Sequence, residues 1–386
     1  MKFRMSGKHE WGEAATFVPN KFAPVYNWFY YKEGYSRDLV FKTLDMFKMG
    51  AGKDAKPKAK DKKLYVLDPF CGVGTTNLAC MEQGVNSVGF DLSPLALLAA
   101  RVKCGQYDIE VLKEAFARHR HARFEPRDKS WIPGDVSRFF NPHTLDDIVF
   151  FGKELAGIED EKIRDFFRLA LISTADRCSY MFKDGSVVKL RKHPVPPLRK
   201  LYFARIHRMI HDLKKFKAKK CKTIITEGDA RHIRLENETI DCVITSPPYL
   251  NKIEYTRIYR IEEFLFFGGR NAKDNGIRSY IGTRAEDEPV IPGLPPSADA
   301  YFSDMKRVIS ELYRVCKPGA KLAIVIGNGC FPDRVVDSDL LIAELSEKAG
   351  FTAKEVLVLN ERWCMRNRVE KVAPLRESMV VLEKQC

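Results

Sequence analysis

An apolar run that stops at two prolines constrains this chain more than any other feature. The run Ile240-Asp241-Cys242-Val243-Ile244-Thr245 is followed directly by Ser246-Pro247-Pro248-Tyr249. Its length and β-branched content predict a parallel strand buried on both faces, and the prolines end that strand. A hydroxyl, a proline carbonyl and an aromatic ring then follow its carboxyl end, where open α/β sheets bind ligands.

Short strands and helices alternate on both sides of this run. The pattern predicts an α/β fold with a Rossmann-like, doubly wound, seven-stranded sheet whose last strand is antiparallel. Its predicted strands are 64–68, 87–91, 223–227, 242–245, 321–326, 352–359 and 378–382, and the helices include 75–83, 94–104, 301–315 and 339–350. The last two strands are expected to form a hairpin with a long basic connecting loop.

The alternation stops for more than a hundred residues, and this break divides the chain into four predicted parts. Segment 1–63 is aromatic at first and ends in a Lys-rich loop, and 64–107 forms the first half of the sheet. Segment 108–222 is predicted as an inserted helical subdomain with loops at 125–135 and 184–197. Segment 223–386 forms the second half, interrupted by an irregular insertion at 250–298.

Composition favours a polyanionic partner. There are 65 Lys+Arg against 51 Asp+Glu, a net charge of +14, which suits nucleic acid. The ten cysteines form no C-x-x-C pair, so neither a zinc site nor a disulfide framework is expected, and the chain is predicted to be cytoplasmic. No run of 18 apolar residues predicts a membrane span.

A glycine-containing loop joins the first strand to the first helix. It reads Asp68-Pro69-Phe70-Cys71-Gly72-Val73-Gly74-Thr75-Thr76, and its glycines allow the backbone to approach a ligand closely. Asp91-Leu92 follows the second strand, where a carboxylate can accept both hydroxyls of an adenosine ribose. Asp229-Ala230 follows the third strand. Asp229 either accepts from an adenine amino group or caps a helix before Arg231.

These motifs resemble the class I S-adenosylmethionine-dependent amino-methyltransferases, which pair D-P-F-x-G-x-G-T with [DNS]-P-P-Y. The resemblance covers residues 64–104 and 223–382. It implies that S-adenosyl-L-methionine is held by Asp68, Pro69, Phe70, Gly72, Gly74, Thr75, Thr76, Asp91, Leu92, Asp229 and Ala230. Phe22, in Lys21-Phe22-Ala23-Pro24, resembles a residue that packs over the methionine end of the cofactor, although it also suits a core position.

The resemblance makes Ser246, Pro247, Pro248 and Tyr249 the catalytic residues. An exocyclic amine of cytosine is a poor nucleophile because its lone pair is delocalised into the ring. The Pro247 carbonyl and Ser246 hydroxyl can accept its two N–H bonds, and Tyr249 can stack on a base that has left its helix. A cytosine-C5 methylase would need a Pro-Cys nucleophile in this loop, so Cys71 and Cys242 are interpreted as packing residues.

The serine before the prolines resembles the N4-cytosine group, including an archaeal and bacterial branch. Because the large insertion precedes the third strand, the favoured substrate is ribosomal RNA, receiving one or two methyls, recognised by shape and phosphate pattern. The basic run 189–220 and the loop 362–368 are the predicted nucleic-acid contacts. The residues assigned to them are Lys189, Arg191, Lys192, Arg199, Lys200, Arg205 and Arg366.

Three alternatives stay open. The first is a DNA cytosine-N4 or adenine-N6 methylase, and the second is an RNA guanine-N2 enzyme, which the serine disfavours. The third is a non-catalytic RNA-binding assembly factor, against which the intact loop and acceptor motif argue. No metal or membrane is expected to take part, and the oligomeric state is left open.

Overall fold

The computed structural model describes residues 3–49, 64–185, 187–250, 255–268, 291–331, 334–366 and 370–385. The predicted Lys-rich loop after Met49 and most of the predicted insertion at 250–298 lie outside these ranges.

The strands build one large sheet and two small hairpins. In chain order they are β1 (Met5–Gly7), β2 (Tyr65–Asp68), β3 (Asn86–Asp91), β4 (Met181–Asp184), β5 (Val187–Leu190), β6 (Thr223–Glu227), β7 (Ile240–Thr245), β8 (Cys316–Gly327), β9 (Gly329–Cys330), β10 (Val335–Val336), β11 (Phe351–Arg366) and β12 (Glu370–Lys384).

The large sheet has the order β1-β11-β12-β8-β7-β2-β3-β6. Strands β6, β3, β2, β7 and β8 are parallel, and β12 is antiparallel to both β8 and β11. The chain passes from β2 to β3 and β6 on one side and then returns to β7 on the other, so the strand order reverses between β2 and β7. A doubly wound sheet binds ligands at such a reversal.

The Rossmann-like α/β prediction is confirmed, but the strand number was wrong. The sheet has eight described strands, because Met5–Gly7 pairs in parallel with β11 at Val356, Leu357 and Val358. Three residues that include a serine and a glycine show no strand periodicity, so this edge strand could not be predicted from the sequence.

Helices pack on both faces of the sheet and form most of the insertion. They are α1 (Arg37–Met46), α2 (Thr75–Gln83), α3 (Pro94–Lys103), α4 (Ile109–Arg120), α5 (Gly134–Ser137), α6 (Pro142–Ala156), α7 (Glu161–Arg177), α8 (Leu198–Lys215), α9 (Tyr255–Ile258), α10 (Arg260–Phe266), α11 (Pro296–Val315) and α12 (Ser338–Lys348). Ser93 caps α3 by accepting from the Ala96 amide at 3.3 Å, with Pro94 in the first turn as predicted.

Alternate residues of the central strands pack on opposite faces of the sheet. Leu67 and Val243 face a cluster with α11 and α12, whereas Val66 and Ile244 face a cluster with α1 and α2. This follows from the two-residue period of a strand, and burial on both faces explains the continuous apolar runs. Truncating one such side chain, as in Ile244→Ala, is expected to cost about 2–5 kcal/mol of stability.

The insertion shares its core with the N-terminal segment. Trp28, Phe166 and Tyr202 are fully buried in one cluster that also contains residues of α2 and α3. The Trp28 ring meets Phe166 edge-on at 5.2 Å, and its Nε1 donates to Asp212 at 3.1 Å. These contacts fix the insertion against the sheet, while its boundaries as a domain stay a prediction.

Two loop predictions were wrong. The segment 184–197, predicted as a loop, contains β5, which pairs with β4 as a hairpin. β5 has only four residues and is mostly exposed, so it lacks the buried run from which a strand is recognised. The basic loop predicted after residue 359 is mostly strand, since β11 continues to Arg366 and β12 begins at Glu370. The extension forms a ribbon that projects past the sheet, so its residues lack the burial from which strands are recognised.

Within this ribbon, Cys364 forms a disulfide with Cys330 of β9, with Cα atoms 5.7 Å apart. The expectation that the cysteines are free is therefore wrong for this pair, which are 34 residues apart in the sequence. Their proximity depends on the extension of β11, which the sequence did not predict. Among the described residues, no helix is long and apolar enough to cross a membrane.

Candidate active site

A cavity lies at the carboxyl ends of β2, β3 and β7, where the strand order reverses. It is lined by Asp68, Pro69, Phe70, Gly72, Thr75, Asp91, Leu92, Asp229, Ala230, Ser246 and Pro248 among the predicted site residues. The structure thus brings the glycine loop, Asp91 at the end of β3 and the proline motif to one cavity. Gly74, Thr76, Pro247, Tyr249 and Phe22 do not line it.

The glycine loop requires glycine at both positions. Gly72 has φ +49° and Gly74 has φ +76°, in the left-handed region that side chains disfavour. A Cβ on Gly74 would lie 2.9 Å from the Cβ of Ala100 in α3, so a side chain there would push the two helices apart. Gly74 therefore sets the packing behind the loop, and Gly72 forms its cavity surface.

Asp91 fixes the conformation of the same loop by accepting hydrogen bonds from backbone amides. Its Oδ2 accepts from the Gly72 amide at 2.8 Å and its Oδ1 from the Ser93 amide at 2.9 Å. Burial raises the pKa of Asp91, and these backbone hydrogen bonds act in the opposite direction. Each carboxylate oxygen has a second lone pair, so Asp91 can still accept from ribose hydroxyls in the cavity.

Asp68, the last residue of β2, connects that strand to the end of β7 through hydrogen bonds. It accepts from Thr76 and from Thr245, both at 2.7 Å, and from Tyr35 at 3.1 Å. Burial raises the pKa of Asp68 to about 6, although these hydrogen bonds lower it. Thr245 precedes Ser246, so this network fixes the end of β7 relative to the glycine loop.

The N-terminal segment reaches the cavity through different residues from the one predicted. Phe22 is 85% exposed, just beyond a short 3-10 turn, and lies outside the cavity. Tyr31, Glu33 and Tyr35 line it instead. Tyr31 stacks on Tyr259 at 5.5 Å, and the Tyr259 hydroxyl donates to Glu33 at 2.8 Å. The density of tyrosines at 26–35 was the sequence signal for this contact.

Asp229 forms an ion pair in the structure. It accepts from the side chain of Arg231 at 2.6–3.1 Å, and Arg231 also donates to Asp304 at 3.1 Å. Burial acts to raise the pKa of Asp229, but the Arg231 hydrogen bonds outweigh it and the pKa lies below its ordinary value. No helix begins after Asp229 in the described segment, so the helix-cap alternative is wrong.

The proline motif is held by contacts on two sides. The Tyr301 hydroxyl donates to the Pro248 carbonyl at 2.8 Å, and the Tyr249 hydroxyl donates to Glu377 at 2.9 Å. The Tyr249 ring packs directly over Gly327, where a Cβ would lie only 2.6 Å from it. Ser246 and Pro248 of this motif line the cavity and Pro247 does not, so the role of the Pro247 carbonyl as an acceptor stays a prediction.

Glu263 of α10 also lines the cavity, although it was not among the predicted site residues. It accepts from the Ser93 hydroxyl at 3.2 Å. Burial raises the pKa of Glu263 to about 7, the neighbouring Glu262 and Asp91 contribute in the same direction, and the Ser93 hydrogen bond opposes them. Its segment was predicted to be irregular, so an acid in it carried no positional information.

The titration of Glu263 predicts a pH dependence of cofactor affinity. With a pKa near 7, its ionised fraction rises from about one tenth at pH 6 to about nine tenths at pH 8. Because S-adenosyl-L-methionine carries net positive charge, its Kd should fall about three- to tenfold over this range. Calorimetric titration at several pH values measures this. Glu263→Gln should flatten the dependence, and a variant that keeps the full slope would assign it to other groups.

Several predicted nucleic-acid contacts are used inside the protein. Arg199 pairs with Asp147 at 2.8 Å and lies over the Phe150 and Phe151 rings. Arg205 donates to the main-chain carbonyls of Asn27 and Trp28 at 2.7 and 2.6 Å. Both guanidinium groups therefore already have partners within the protein, and their contact with nucleic acid stays a prediction.

The other basic residues are more accessible. Lys189 pairs with Asp184 at 2.7 Å, and Arg191 lies over the Phe182 ring at 5.5 Å. Lys192 and Lys200 are exposed, and the Arg366 side chain lies outside the described part. Their contact with nucleic acid stays a prediction.

The cysteines near the site are buried. Cys71 lines the cavity and Cys242 lies under it, and burial raises the pKa of both thiols above the ordinary value. A thiol held in its neutral form is a poor nucleophile, which agrees with packing roles. In the described ranges, no group of three His, Cys, Asp or Glu side chains is placed to hold a metal ion.

Comparisons with known proteins find similarity to DNA methylases. A family model described as DNA methylase, of the N6/N4 type, matches residues 59–101. The type II methyltransferase M.BsoBI of Geobacillus stearothermophilus is 24% identical, over 96% of this chain and 87% of that protein. M.AvaI of Nostoc is also 24% identical, over 89% and 82%. A crystal structure of a methyltransferase from Methanosarcina mazei aligns with 84% of this chain and 94% of its own at 10% identity, with a TM-score of 0.32.

The strand order, the glycine loop with Asp91 and these relatives define a methyltransferase that uses S-adenosyl-L-methionine. Within that class the chain is similar to the N6/N4 methylases, in its cofactor half by the family match and over most of its length by the two type II enzymes.

Proposed function

We propose that this protein transfers a methyl group to the exocyclic N4 amine of cytosine in DNA. One observation carries the proposal: Ser246 and Pro248 line the same cavity as Gly72 and Asp91. Residues that suit an amine substrate and residues that suit a nucleoside cofactor therefore line the same cavity.

The residues fit the cofactor. The Gly72 surface has no Cβ, and Asp91 is a partly buried carboxylate with lone pairs available, as an adenosine ribose requires. When bound, the cofactor supplies an electrophilic methyl on its sulfonium. Phe70, Leu92 and Ala230 offer apolar surface beside these polar groups.

The chain's own residues activate the amine. The Pro247 carbonyl and the Ser246 hydroxyl accept its two N–H bonds and draw the lone pair out of conjugation with the ring. Proline suits this role because its fixed φ holds the acceptor rigid, and the network of Asp68 and Thr245 anchors the strand behind it. The N4 proton becomes acidic once the new bond has formed, so no strong base is required.

DNA replaces RNA as the preferred substrate. The expectation of RNA rested on the position of the insertion before β6. An alignment that covers 96% of this chain includes that insertion, so the insertion is compatible with a type II methyltransferase and does not argue against DNA. The matching family is described as DNA methylase, which supports the same choice. Methyl transfer to DNA therefore replaces the expected transfer of one or two methyls to ribosomal RNA.

Adenine N6 in DNA is the second candidate, because the matching family includes both amines. The serine in Ser246-Pro247-Pro248-Tyr249 favours cytosine by its resemblance to the N4 group. The intact cofactor loop and acceptor motif again argue against a non-catalytic assembly factor.

Transfer of labelled methyl from S-adenosyl-L-methionine tests the substrate. We expect incorporation into duplex genomic DNA to exceed incorporation into ribosomal RNA at equal nucleotide concentration by at least about tenfold, because the site must match one polymer's geometry. Single-stranded DNA separates the cost of extruding the base from base recognition. Preferential incorporation into RNA would contradict the proposal.

A further inference from the structure

A second cavity, of about 370 Å³, lies between the N-terminal segment, α7 and α8. Five basic side chains line it against one acid: Lys21, Arg177, Lys183, Arg205 and Arg208 face Asp176. Phe17, Phe29 and Tyr30 form its apolar wall. This cavity has a different lining from the candidate active site and concentrates positive charge in a partly open space.

Only one of these cations is neutralised by carboxylates within the described part of the chain. Lys183 pairs with Asp176 at 3.2 Å and with Glu262. For Arg177, Arg205 and Arg208 the described residues provide no carboxylate within 4 Å. The cavity thus has an excess of positive charge that an anion would balance.

Arg205 forms the rigid floor of this cavity. Besides its bonds to the carbonyls of Asn27 and Trp28, its Nε donates to the Ser173 hydroxyl at 3.3 Å. Burial, together with repulsion from Arg208 and Arg177, lowers the pKa of Arg205 to about 10. The three arginines are therefore held close enough to repel one another, an arrangement that a bound anion relieves.

A side-chain amide adds a neutral group. Asn27 lines the cavity, and its buried Oδ1 has no hydrogen-bond partner in the described structure. Rotation about the last side-chain bond exchanges the oxygen and the NH₂ group, so Asn27 can donate to an anion without losing an existing contact.

This cavity adjoins the active site. The Lys183 ammonium lies 4.5 Å from the centre of the Tyr259 ring, and Tyr259 lines the cofactor cavity and stacks on Tyr31. One layer of aromatic side chains thus separates the two spaces. An anion bound here would therefore lie close to the candidate active site.

We propose that this arginine cavity binds a backbone phosphate of the nucleic-acid substrate. The inference rests on the proposed function and names a contact that holds the strand next to the reacting base. Planar guanidinium groups suit phosphate oxygens because they donate two parallel hydrogen bonds. Free inorganic phosphate has the same chemistry, and the experiment separates the two sources.

The test compares two variants that each remove two positive charges. Arg177→Gln with Arg208→Gln removes two of the five basic side chains that line the cavity. Arg205 is left unchanged because it donates to main-chain carbonyls. Lys306→Gln with Lys348→Gln is the matched control, since both lysines are exposed and lie outside the cavity and outside the basic run 189–220. Duplex DNA affinity is measured over a range of salt concentrations by fluorescence anisotropy, with cofactor Kd as the check on folding.

We expect the arginine pair to weaken DNA binding about tenfold and to reduce the slope of log K against log salt by about 0.9, the value for one lost phosphate contact. The lysine pair should change both by much less, and cofactor Kd should stay within twofold for both variants. Equal effects of the two pairs would overturn the proposal, because charge alone would then explain them.

Inorganic phosphate supplies the second arm. Millimolar phosphate at constant ionic strength should compete only weakly with DNA on the wild type, because the strand adds many other contacts. Tight binding of inorganic phosphate that leaves DNA affinity unchanged would assign the cavity to free phosphate and overturn the proposal. If the wild type methylates DNA while the arginine pair behaves as the lysine pair does, only this inference fails. Absence of methyl transfer by the wild type would instead refute the proposed function.

Discussion

Replacing Tyr249 with alanine should lower methyl transfer at least a hundredfold while the cofactor Kd stays within a few fold. Tyr249 directly follows Pro248, which lines the cavity, and its ring packs over Gly327. Stacking on a base contributes about 1–3 kcal/mol, and a base that is not held in the reacting orientation loses more in rate than in binding. Single-turnover transfer and calorimetry of cofactor binding measure the two effects separately.

Tyr249→Phe is the matched control for this substitution. It keeps the ring and removes only the hydroxyl that donates to Glu377 at 2.9 Å. We expect it to retain most of the activity, with a loss of less than about tenfold, because one partly exposed hydrogen bond contributes about 0.5–1.5 kcal/mol. A normal rate for Tyr249→Ala would refute the stacking role, and equal losses in both variants would assign the effect to the contact with Glu377.

Replacing Asp91 with alanine should weaken cofactor binding about a hundredfold or more. The substitution removes the carboxylate that the ribose needs, and it also leaves the amides of Gly72 and Ser93 without their acceptor. A buried unsatisfied donor costs about 1–3 kcal/mol, so the loop should lose its shape as well as its ligand. Calorimetry with S-adenosyl-L-methionine gives the Kd directly.

Asp45→Ala removes an exposed carboxylate of α1 and serves as the control for charge. It should leave cofactor affinity unchanged. Raising cofactor concentration should recover part of the activity of Asp91→Ala, since the amine-binding residues are intact. An affinity within twofold of the wild type for Asp91→Ala would exclude Asp91 from the cofactor site.

The sheet was predictable from sequence because its central strands are buried on both faces. Such strands are continuous apolar runs that end abruptly, and β6 and α2 have the bounds that the pattern predicted, at Thr223–Glu227 and Thr75–Gln83. The glycine loop and the proline motif lie at the ends of such strands. Parallel strands bring their carboxyl ends to one edge, so the meeting of these motifs in one cavity followed from topology.

The rest depended on contacts between distant segments. Glu263 enters the cavity on a short helix in a segment without periodicity, and Tyr31 and Tyr35 replace Phe22 because of where the N-terminal chain turns. Arg205 appeared as one member of a basic run, yet it is bonded to carbonyls more than 170 residues away. Sequence composition shows how many charges a segment has, but packing decides which of them face a ligand.

The central claim is that this site methylates the N4 amine of cytosine in DNA. Nucleoside mass spectrometry of duplex DNA, after incubation with the protein and S-adenosyl-L-methionine carrying a deuterated methyl, tests it most directly. The account predicts that the wild type forms labelled N4-methylcytosine, that Tyr249→Ala forms almost none, and that Tyr249→Phe still forms it. Labelled N6-methyladenine in place of N4-methylcytosine, or label found in RNA alone, would contradict it.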